Sequence, residues 1–366
     1  MGLLDYYRQF EAMSEEEVNE GLRQEAQERR EKALTRVETL DLSQTTWPEL
    51  PHPRVVSAIT YVARRGLHRY PHTRGSELRD ELAEQHGIDR SRLILGNGAA
   101  ELLSSATRAL IEPGQRLLTS WPSYPLYPIM ARRAHGQAVP VSGGVPELLE
   151  AAQDPDVRVV VLASPNDPTG ELLETASLER LLEGLPSGVA LLLDESLVEF
   201  ADAQPRNAAI ALLEQHSRLL VFRSFSKAWG LAGLRVGYAL GGPGSADLLA
   251  ELEPDLGVSE VSQAGALEAW RGCAELVERR VLTISRERPR LTAELRERGF
   301  DVTDSQANFL WAAHPSFEGD ELAGRLAQNG ILVAAGSALG EPHHVRIGLR
   351  NAAATDRLVA ALDKVL

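Results

Sequence analysis

Short apolar strands alternate with helical segments in this 366-residue chain, up to about residue 243. The runs Val159-Val160-Val161-Leu162 and Val189-Ala190-Leu191-Leu192-Leu193 are apolar at every position. Side chains on both faces of such strands need cover, and parallel strands joined by helices provide it. The pattern therefore predicts an α/β fold, with a three-layer α/β/α large domain around a mostly parallel sheet.

The alternation ends at Gly241-Gly242-Pro243-Gly244. A long helical zone follows, then short strands and a C-terminal helix, which is typical of a smaller α+β domain. We predict three parts. Residues 1–50 form an N-terminal arm or helix that packs on the small domain or on a partner subunit, residues 51–243 form the large domain, and residues 244–366 form the small C-terminal domain.

Composition excludes several classes of protein. The chain is 43% hydrophobic and 25% charged, as in ordinary soluble globular proteins, and its net charge of -14 argues against a nucleic-acid or anionic-membrane surface. No apolar run approaches the roughly 20 residues of a membrane helix, and the N-terminus lacks signal-peptide features. We expect a cytoplasmic protein. The single cysteine, Cys273, and the spacing of the nine histidines give no reason to expect a metal site.

Polar residues follow the apolar strands. Asn97, Asn166, Asp194 and Lys227 each follow one. Because ligands of parallel α/β sheets bind beyond the carboxyl ends of the strands, these four side chains are expected to meet at one site.

Lys227 lies in Ser224-Phe225-Ser226-Lys227, before a glycine-rich turn that leads to Arg235. A lysine amine in this setting can form a Schiff base with an aldehyde cofactor. The two hydroxyl groups and Arg235 suit a phosphate on the same cofactor. A surface lysine is the alternative interpretation.

A carboxylate at a buried strand end, such as Asp194, is costly unless a cationic or hydrogen-bonding group meets it. A protonated pyridine nitrogen is a suitable partner, because the pair keeps the ring able to accept electrons. A helix cap or a buried ion pair is the alternative. Asn166, in the loop Ser164 to Gly170, can donate its amide to a ring oxygen, although the loop can also be only a tight turn.

The segment Gly96-Asn97-Gly98-Ala99-Ala100 joins a strand to a helix. Free backbone amides at a helix start, flanked by small residues, bind phosphate well. A plain strand–helix turn is the alternative.

Together these motifs resemble those of fold-type I pyridoxal 5'-phosphate enzymes of the class I/II aminotransferase family. The chain is most similar to the histidinol-phosphate aminotransferase branch and its threonine-phosphate decarboxylase relatives, over roughly residues 40 to 366. The resemblance implies pyridoxal 5'-phosphate as cofactor, an amino donor and a 2-oxo acid acceptor as substrates, and a homodimer with shared active sites.

The resemblance also implies roles for individual residues. Lys227 would be the catalytic Schiff-base lysine. The cofactor-binding residues would be Gly98, Ala99, Ala100, Tyr124, Asn166, Asp194, Ser224, Ser226, Arg235 and, reaching the phosphate in the neighbouring subunit, Tyr70. Among these, Tyr124 would stack on the ring. Arg346 would bind the substrate's anionic group, and Trp47 would make the substrate pocket more apolar.

Two departures bear on the substrate. Ala334 stands where histidinol-phosphate aminotransferases tend to have arginine, and Thr45-Thr46-Trp47-Pro48 replaces an Asn-Glu motif of the family. We therefore expect an amino acid bound through its carboxylate by Arg346, rather than histidinol phosphate.

Other functions stay open at this point. Decarboxylation or lyase chemistry of a threonine-phosphate decarboxylase-like enzyme would use the same cofactor, and histidinol-phosphate aminotransferase proper is the less favoured substrate alternative. A regulator on the same fold would need an added DNA-binding domain, for which the N-terminal segment is too short and too acidic. A nucleotide-binding α/β protein would need a GxGxxG or Walker motif, and the sequence contains neither in the right context.

The presence of Leu197 leads to a separate prediction about the pKa of the Schiff base. The family usually has tyrosine three residues after the strand-end aspartate, and its loss removes one hydrogen bond to the ring oxygen. Less stabilisation of that anionic oxygen predicts a raised pKa for the Schiff base at Lys227. A pH titration of the cofactor's visible absorption band measures this pKa, and a low value would contradict the argument.

Overall fold

The computed structural model describes residues 39–72 and 76–366. The predicted N-terminal helix, at 14–37, and most of the predicted arm at 1–50 lie outside these residues. Within the described ranges, none of the helices is long and apolar enough to cross a membrane.

Seven strands form the larger sheet. Their bounds are β2 Leu93–Gly96, β3 Arg116–Ser120, β4 Gln137–Val141, β5 Val157–Ala163, β6 Ala190–Asp194, β7 Leu219–Ser224 and β8 Gly237–Gly241. They lie in the order β2–β8–β7–β6–β5–β3–β4, and β8 alone runs antiparallel to its neighbours. The prediction of an α/β fold with a mostly parallel sheet is confirmed.

Helices cover both faces of this sheet. On one face pack α3 Ala99–Leu110, α4 Leu126–Arg133 and α8 Ala246–Leu252. On the other pack α2 Glu77–His86, α5 Val145–Ala151, α6 Thr175–Gly184, α7 Ala208–Leu212 and α9 Glu260–Gly272. Alternate residues of one strand enter opposite cores: Val159 and Val161 join the first, and Val160 joins the second. This two-sided burial is why the strands are apolar throughout.

A second, antiparallel sheet has the order β12–β13–β10–β9. Its strands are β9 Asp301–Val302, β10 Phe309–Ala313, β12 Ala334–Ala335 and β13 His344–Gly348. Helices α10 Ala274–Glu297, α11 Gly319–Gln328 and α12 Ala352–Val365 share its core. The short strand β1, Leu40–Asp41, pairs in parallel with β11, Ile331–Leu332, and so ties the start of the described chain to this sheet.

The structure places the change from one core to the other later than the predicted boundary at residues 243 and 244. Helices α8 and α9 follow that boundary but contribute Leu249 and Ala266 to the cores of the larger sheet. Helix α10 is the first to pack on the core of the smaller sheet, beginning with Val277. The exact domain limits stay predictions. Helix α1, Pro53–Gly66, packs on α9 beside the larger sheet.

Candidate active site

A cleft of about 170 Å³ opens at the carboxyl ends of the parallel strands of the larger sheet. Both faces of the sheet are buried, so polar side chains of the strands reach solvent only at the strand ends. The cleft lies at these ends for that reason. Eight of the predicted site residues line it: Ala99, Ala100, Tyr124, Asp194, Ser224, Ser226, Lys227 and Arg235. Residues far apart in sequence thus come together at one site.

The amine of Lys227 points into this cleft and hydrogen-bonds the hydroxyl of Thr45. Burial is the main cause that lowers the pKa of Lys227; Arg346 and Arg235 act in the same direction, and Asp167 and Asp194 oppose them. The amine is therefore neutral at a lower pH than an ordinary lysine, and a neutral amine is the form that attacks an aldehyde.

Asp194 ends strand β6 and is buried. Its Oδ2 accepts a hydrogen bond from the Tyr127 hydroxyl at 3.0 Å, and its Oδ1 accepts one from the Ser196 amide at 3.0 Å. Burial raises the pKa of Asp194, and these two hydrogen bonds offset the rise only in part. Both hydrogen-bond partners are neutral, so a cationic ring nitrogen would supply the charge that this carboxylate lacks.

A phosphate-sized cradle lies between the start of α3 and Arg235. No side chain caps this helix, so its first amides keep their hydrogens for another acceptor. Arg235 Nη2 donates to the carbonyl oxygen of Asn97 at 3.3 Å, which holds the guanidinium over Gly98. Ser226 accepts from Ser224 Oγ at 2.9 Å. Amides, hydroxyls and a guanidinium are the donors that a phosphate needs, so these residues fit the phosphate of the predicted cofactor.

The loop after β5 differs in detail from the prediction. Both amide hydrogens of Asn166 are donated inside the protein, to Pro122 O at 3.0 Å and to Thr169 Oγ1 at 2.9 Å. Its Oδ1 accepts from Ser123 Oγ at 2.8 Å. The loop residues that line the cleft are Pro165 and Asp167, and Asp167 is the polar one. The role of Asn166 at the cofactor stays a prediction, and it would require one of these hydrogen bonds to break.

Gly98, at the cradle, and three other predicted residues also lie outside the lining of the cleft. Arg346, in β13, is in contact with the cleft residue Asp167 through an ion pair. Trp47 donates to Glu49 Oε2 at 3.0 Å and packs with its ring 5.0 Å from the guanidinium carbon of Arg280, so its role in the substrate pocket stays a prediction. Tyr70 is 76% exposed on the surface of this chain.

Sequence reasoning missed Tyr127, and it noted Thr45 and Thr46 only as part of the Thr45-to-Pro48 segment, without their place at the cleft. Tyr127 is fully buried and lies edge-on to Tyr124, with ring centroids 5.7 Å apart. The spacing of three residues was a signal, because it brings side chains to one side of a helical turn. Thr45 and Thr46 carry no such signal: they reach Lys227 and the cleft from a segment 182 residues away along the chain.

The chain matches the family model described as aminotransferase class I and II over residues 37–362. It is 35% identical to histidinol-phosphate aminotransferase 2 of Methylococcus capsulatus, with 92% of each chain covered. It is 33% identical to the aromatic amino acid aminotransferase of Corynebacterium efficiens, over 86% of this chain and 90% of the relative.

Among solved structures, the chain is similar to the histidinol-phosphate aminotransferase of Sinorhizobium meliloti in complex with pyridoxal-5'-phosphate. The TM-score is 0.80 at 27% identity, and 93% of each chain is covered. The similarity thus extends over both sheets and the cleft between them.

A substitution at Gly98 tests whether the cradle binds the cofactor's phosphate. Its φ is +87°, and a Cβ there would lie 2.4 Å from Arg235 Nη2. We expect Gly98→Ala to push the guanidinium aside and to weaken the binding of pyridoxal 5'-phosphate by about tenfold or more, the loss of about one charge-assisted hydrogen bond. Fluorescence titration of the apoprotein with the cofactor measures this affinity.

Gly114→Ala is the matched control. Gly114 has φ +89°, but nothing lies within 4 Å of a Cβ there. Alanine is strained at both positions because φ is positive, so we expect both variants to lose thermal stability, but only Gly98→Ala places a Cβ against Arg235. Equal cofactor affinity in both variants would show that the cradle does not bind the phosphate.

Proposed function

This chain belongs to the class I and II aminotransferase family, and we propose that Lys227 bonds its cofactor while Arg346 holds the carboxylate of a free amino acid. Membership in the family makes the protein an aminotransferase that uses pyridoxal 5'-phosphate. The substrate and the roles of single residues are our proposals.

When bound, the cofactor supplies an aldehyde for the amino group and an electron-accepting ring. The chain's own residues would do the rest. Lys227, with its lowered pKa, would offer a neutral amine that bonds the aldehyde. Once the substrate's amino group has displaced it, the freed amine would take the proton from the substrate's α-carbon and deliver it to the former aldehyde carbon of the cofactor. Asp194 would hold the ring nitrogen in its protonated form. Arg235, Ser224 and Ser226 would hold the phosphate.

The observation that carries the substrate proposal is the position of Arg346. Its guanidinium forms an ion pair with Asp167, which lines the cleft together with Lys227. Lys227 and Arg235 are the cations that line the cleft in the described part of the chain. The cofactor would engage both, one through its aldehyde and the other through its phosphate. Arg346, in contact with the lining residue Asp167, would then be the cation that receives a substrate carboxylate, and guanidinium groups bind carboxylates well.

The surroundings favour a substrate with an uncharged side chain. Leu197 lines the cleft with a buried, apolar side chain, and Tyr124 adds an aromatic wall. Ala334 lies opposite Arg346 in the small sheet and contributes no charge there. A phosphorylated substrate would gain little from these groups. The name of the Corynebacterium efficiens relative supports aromatic amino acids as candidates. The relatives give no support to the decarboxylase alternative.

We also infer a homodimer with shared active sites. Apolar and aromatic side chains of the described chain are exposed along α1 and the segment after it: Tyr61 at 59%, Leu67 at 75% and Tyr70 at 76%. A partner subunit would cover them and receive Tyr70 at its phosphate site. Analytical ultracentrifugation tests this, with a species of about twice the chain mass expected and a monomer at working concentration contradicting it. The cytoplasmic location and the limits of the three parts of the chain stay predictions.

Lys227→Ala should lower the rate of amino transfer from phenylalanine to 2-oxoglutarate by at least about a thousandfold. No other amine in the described cleft can form the bond to the cofactor or act as the base. Borohydride reduction followed by peptide mass spectrometry should find the cofactor on Lys227 in the wild type. Lys364→Ala, in the last turn of α12, is the control and should behave as wild type.

Retention of covalent cofactor or of transfer by Lys227→Ala would overturn the role of the lysine. Turnover of histidinol phosphate at rates far above those of phenylalanine and other free amino acids would overturn the substrate proposal. The two results are independent, because the first concerns the cofactor and the second the pocket.

A further inference from the structure

Arg346 and Asp167 form an ion pair that joins the two sheets at the edge of the cleft. Arg346 belongs to strand β13 of the smaller sheet, and Asp167 to the loop after strand β5 of the larger one. Their side chains are only 12% and 11% exposed. The second terminal nitrogen of Arg346 donates to the carbonyl oxygen of Ser43 at 3.1 Å. A substrate carboxylate that approaches Arg346 therefore meets a guanidinium that already has a carboxylate partner.

The loop fixes Asp167 in this place. The amide of Asn166 donates to Glu171 O, the amide of Gly170 donates to Asn166 O, and the amide of Gln306 donates to Gly170 O, each at 2.7 Å. The side chain of Asn166 is held at three points, as described above. Because the backbone on both sides is anchored, Asp167 has little freedom to turn away from Arg346 without a change in the loop.

We propose that Asp167 is an internal counter-ion that competes with the substrate carboxylate for Arg346 and thereby determines which anions the site accepts. This inference rests on the proposed role of Arg346 in substrate binding. Asp167 is thus a specificity-determining residue, and its effect on the substrate acts through the charge of Arg346.

Charge balance gives the direction of the selectivity. An amino acid brings a carboxylate for Arg346 and an ammonium group for Asp167, which lines the cleft together with Lys227. When the amino acid replaces the contact between Arg346 and Asp167, each of the two side chains gains a new partner of opposite charge. A carboxylate that lacks an amine takes Arg346 but leaves Asp167 without its counter-charge, and a nearly buried lone charge is costly. The pair should therefore disfavour anions without an amine in the enzyme form that carries the cofactor aldehyde. A 2-oxo acid acceptor would bind the other form, in which the cofactor itself carries the amino group.

The same pair acts on Lys227. Asp167 and Asp194 raise the pKa of Lys227, whereas burial, Arg346 and Arg235 lower it, and the Thr45 hydroxyl contacts the amine. Loss of the Asp167 charge removes one of the two groups that favour the protonated amine. The Lys227 amine should then become neutral, and reactive, at a lower pH.

The first measurement is calorimetric titration of the holoenzyme with 3-phenylpropanoate, a carboxylate without an amine. Asp167→Asn keeps the size of the side chain and removes its charge, so we expect this probe to bind at least about tenfold more tightly. The KM for phenylalanine should fall by a smaller factor. Asp202→Asn is the matched control, because Asp202 pairs with Arg288 at 3.3 Å outside the cleft, and it should leave probe affinity unchanged.

The second measurement uses the apoenzyme and does not depend on catalysis. Labelling of Lys227 with trinitrobenzenesulfonate, followed by peptide mass spectrometry across pH, gives the midpoint of its titration. Asp167→Asn should move this midpoint to lower pH, and Asp202→Asn should not. If Asp167→Asn does not fold, as judged by circular dichroism, Asp167→Ser takes its place in both measurements.

Arg346→Gln separates the two proposals. It should raise the KM for phenylalanine by at least about tenfold and weaken binding of 3-phenylpropanoate. If it changes neither, Arg346 does not bind the substrate, and both proposals fail. If it has these effects but Asp167→Asn leaves probe affinity as in the wild type, the counter-ion inference is wrong and the proposed function stands. Tighter probe binding together with the lower labelling midpoint upholds the inference.

Discussion

Burial of both faces of the larger sheet is the constraint on which the rest of this structure depends. Helices cover β5, β6 and β7 on both sides, so these strands contain apolar residues nearly throughout. Polar groups are then confined to the strand ends, where the parallel arrangement collects them at one edge. The cleft contains Asp194 and Lys227 for this reason: Asp194 is the last residue of β6, and Lys227 comes shortly after the end of β7.

The same burial makes the two charged groups incomplete by themselves. It raises the pKa of Asp194 and lowers the pKa of Lys227, so both are shifted toward their neutral forms. A ligand that brings a cationic ring nitrogen to Asp194 and an aldehyde to Lys227 would relieve both costs at once. The match between these two shifted groups and such a ligand supports the cofactor of the family independently of any sequence motif.

The sequence predicted those residues of the candidate site that belong to local patterns. Lys227, Asp194, Arg235 and the glycine turn at Gly98 follow strands or open a helix, and their periodicity can be read over a few residues. It could not reach contacts set by how the two sheets pack. Thr45 meets Lys227 because β1 pairs with β11 of the small-domain side, a pairing with no local signature.

Within the Ser164 to Gly170 loop, the sequence could not show which of two adjacent polar residues faces the cleft. The hydrogen bonds of Asn166 to Pro122, Ser123 and Thr169 decide that question, and they involve a strand end more than 40 residues away.

The adjacent carboxylates Asp194 and Glu195, at the end of β6, have different surroundings and therefore different roles. Successive side chains of an extended segment point to opposite sides. Asp194 faces the cleft, whereas Glu195 is buried against Arg223, which donates to it from Nε at 2.9 Å and also bonds Asn207. Burial raises the pKa of Glu195, and Arg223 opposes that rise. One carboxylate thus has a hydrogen-bonded cationic partner inside the protein and the other is left for a ligand, although the two residues are adjacent. The internal partner of Glu195 makes it a structural residue, and the lack of one at Asp194 is what makes that position available for chemistry.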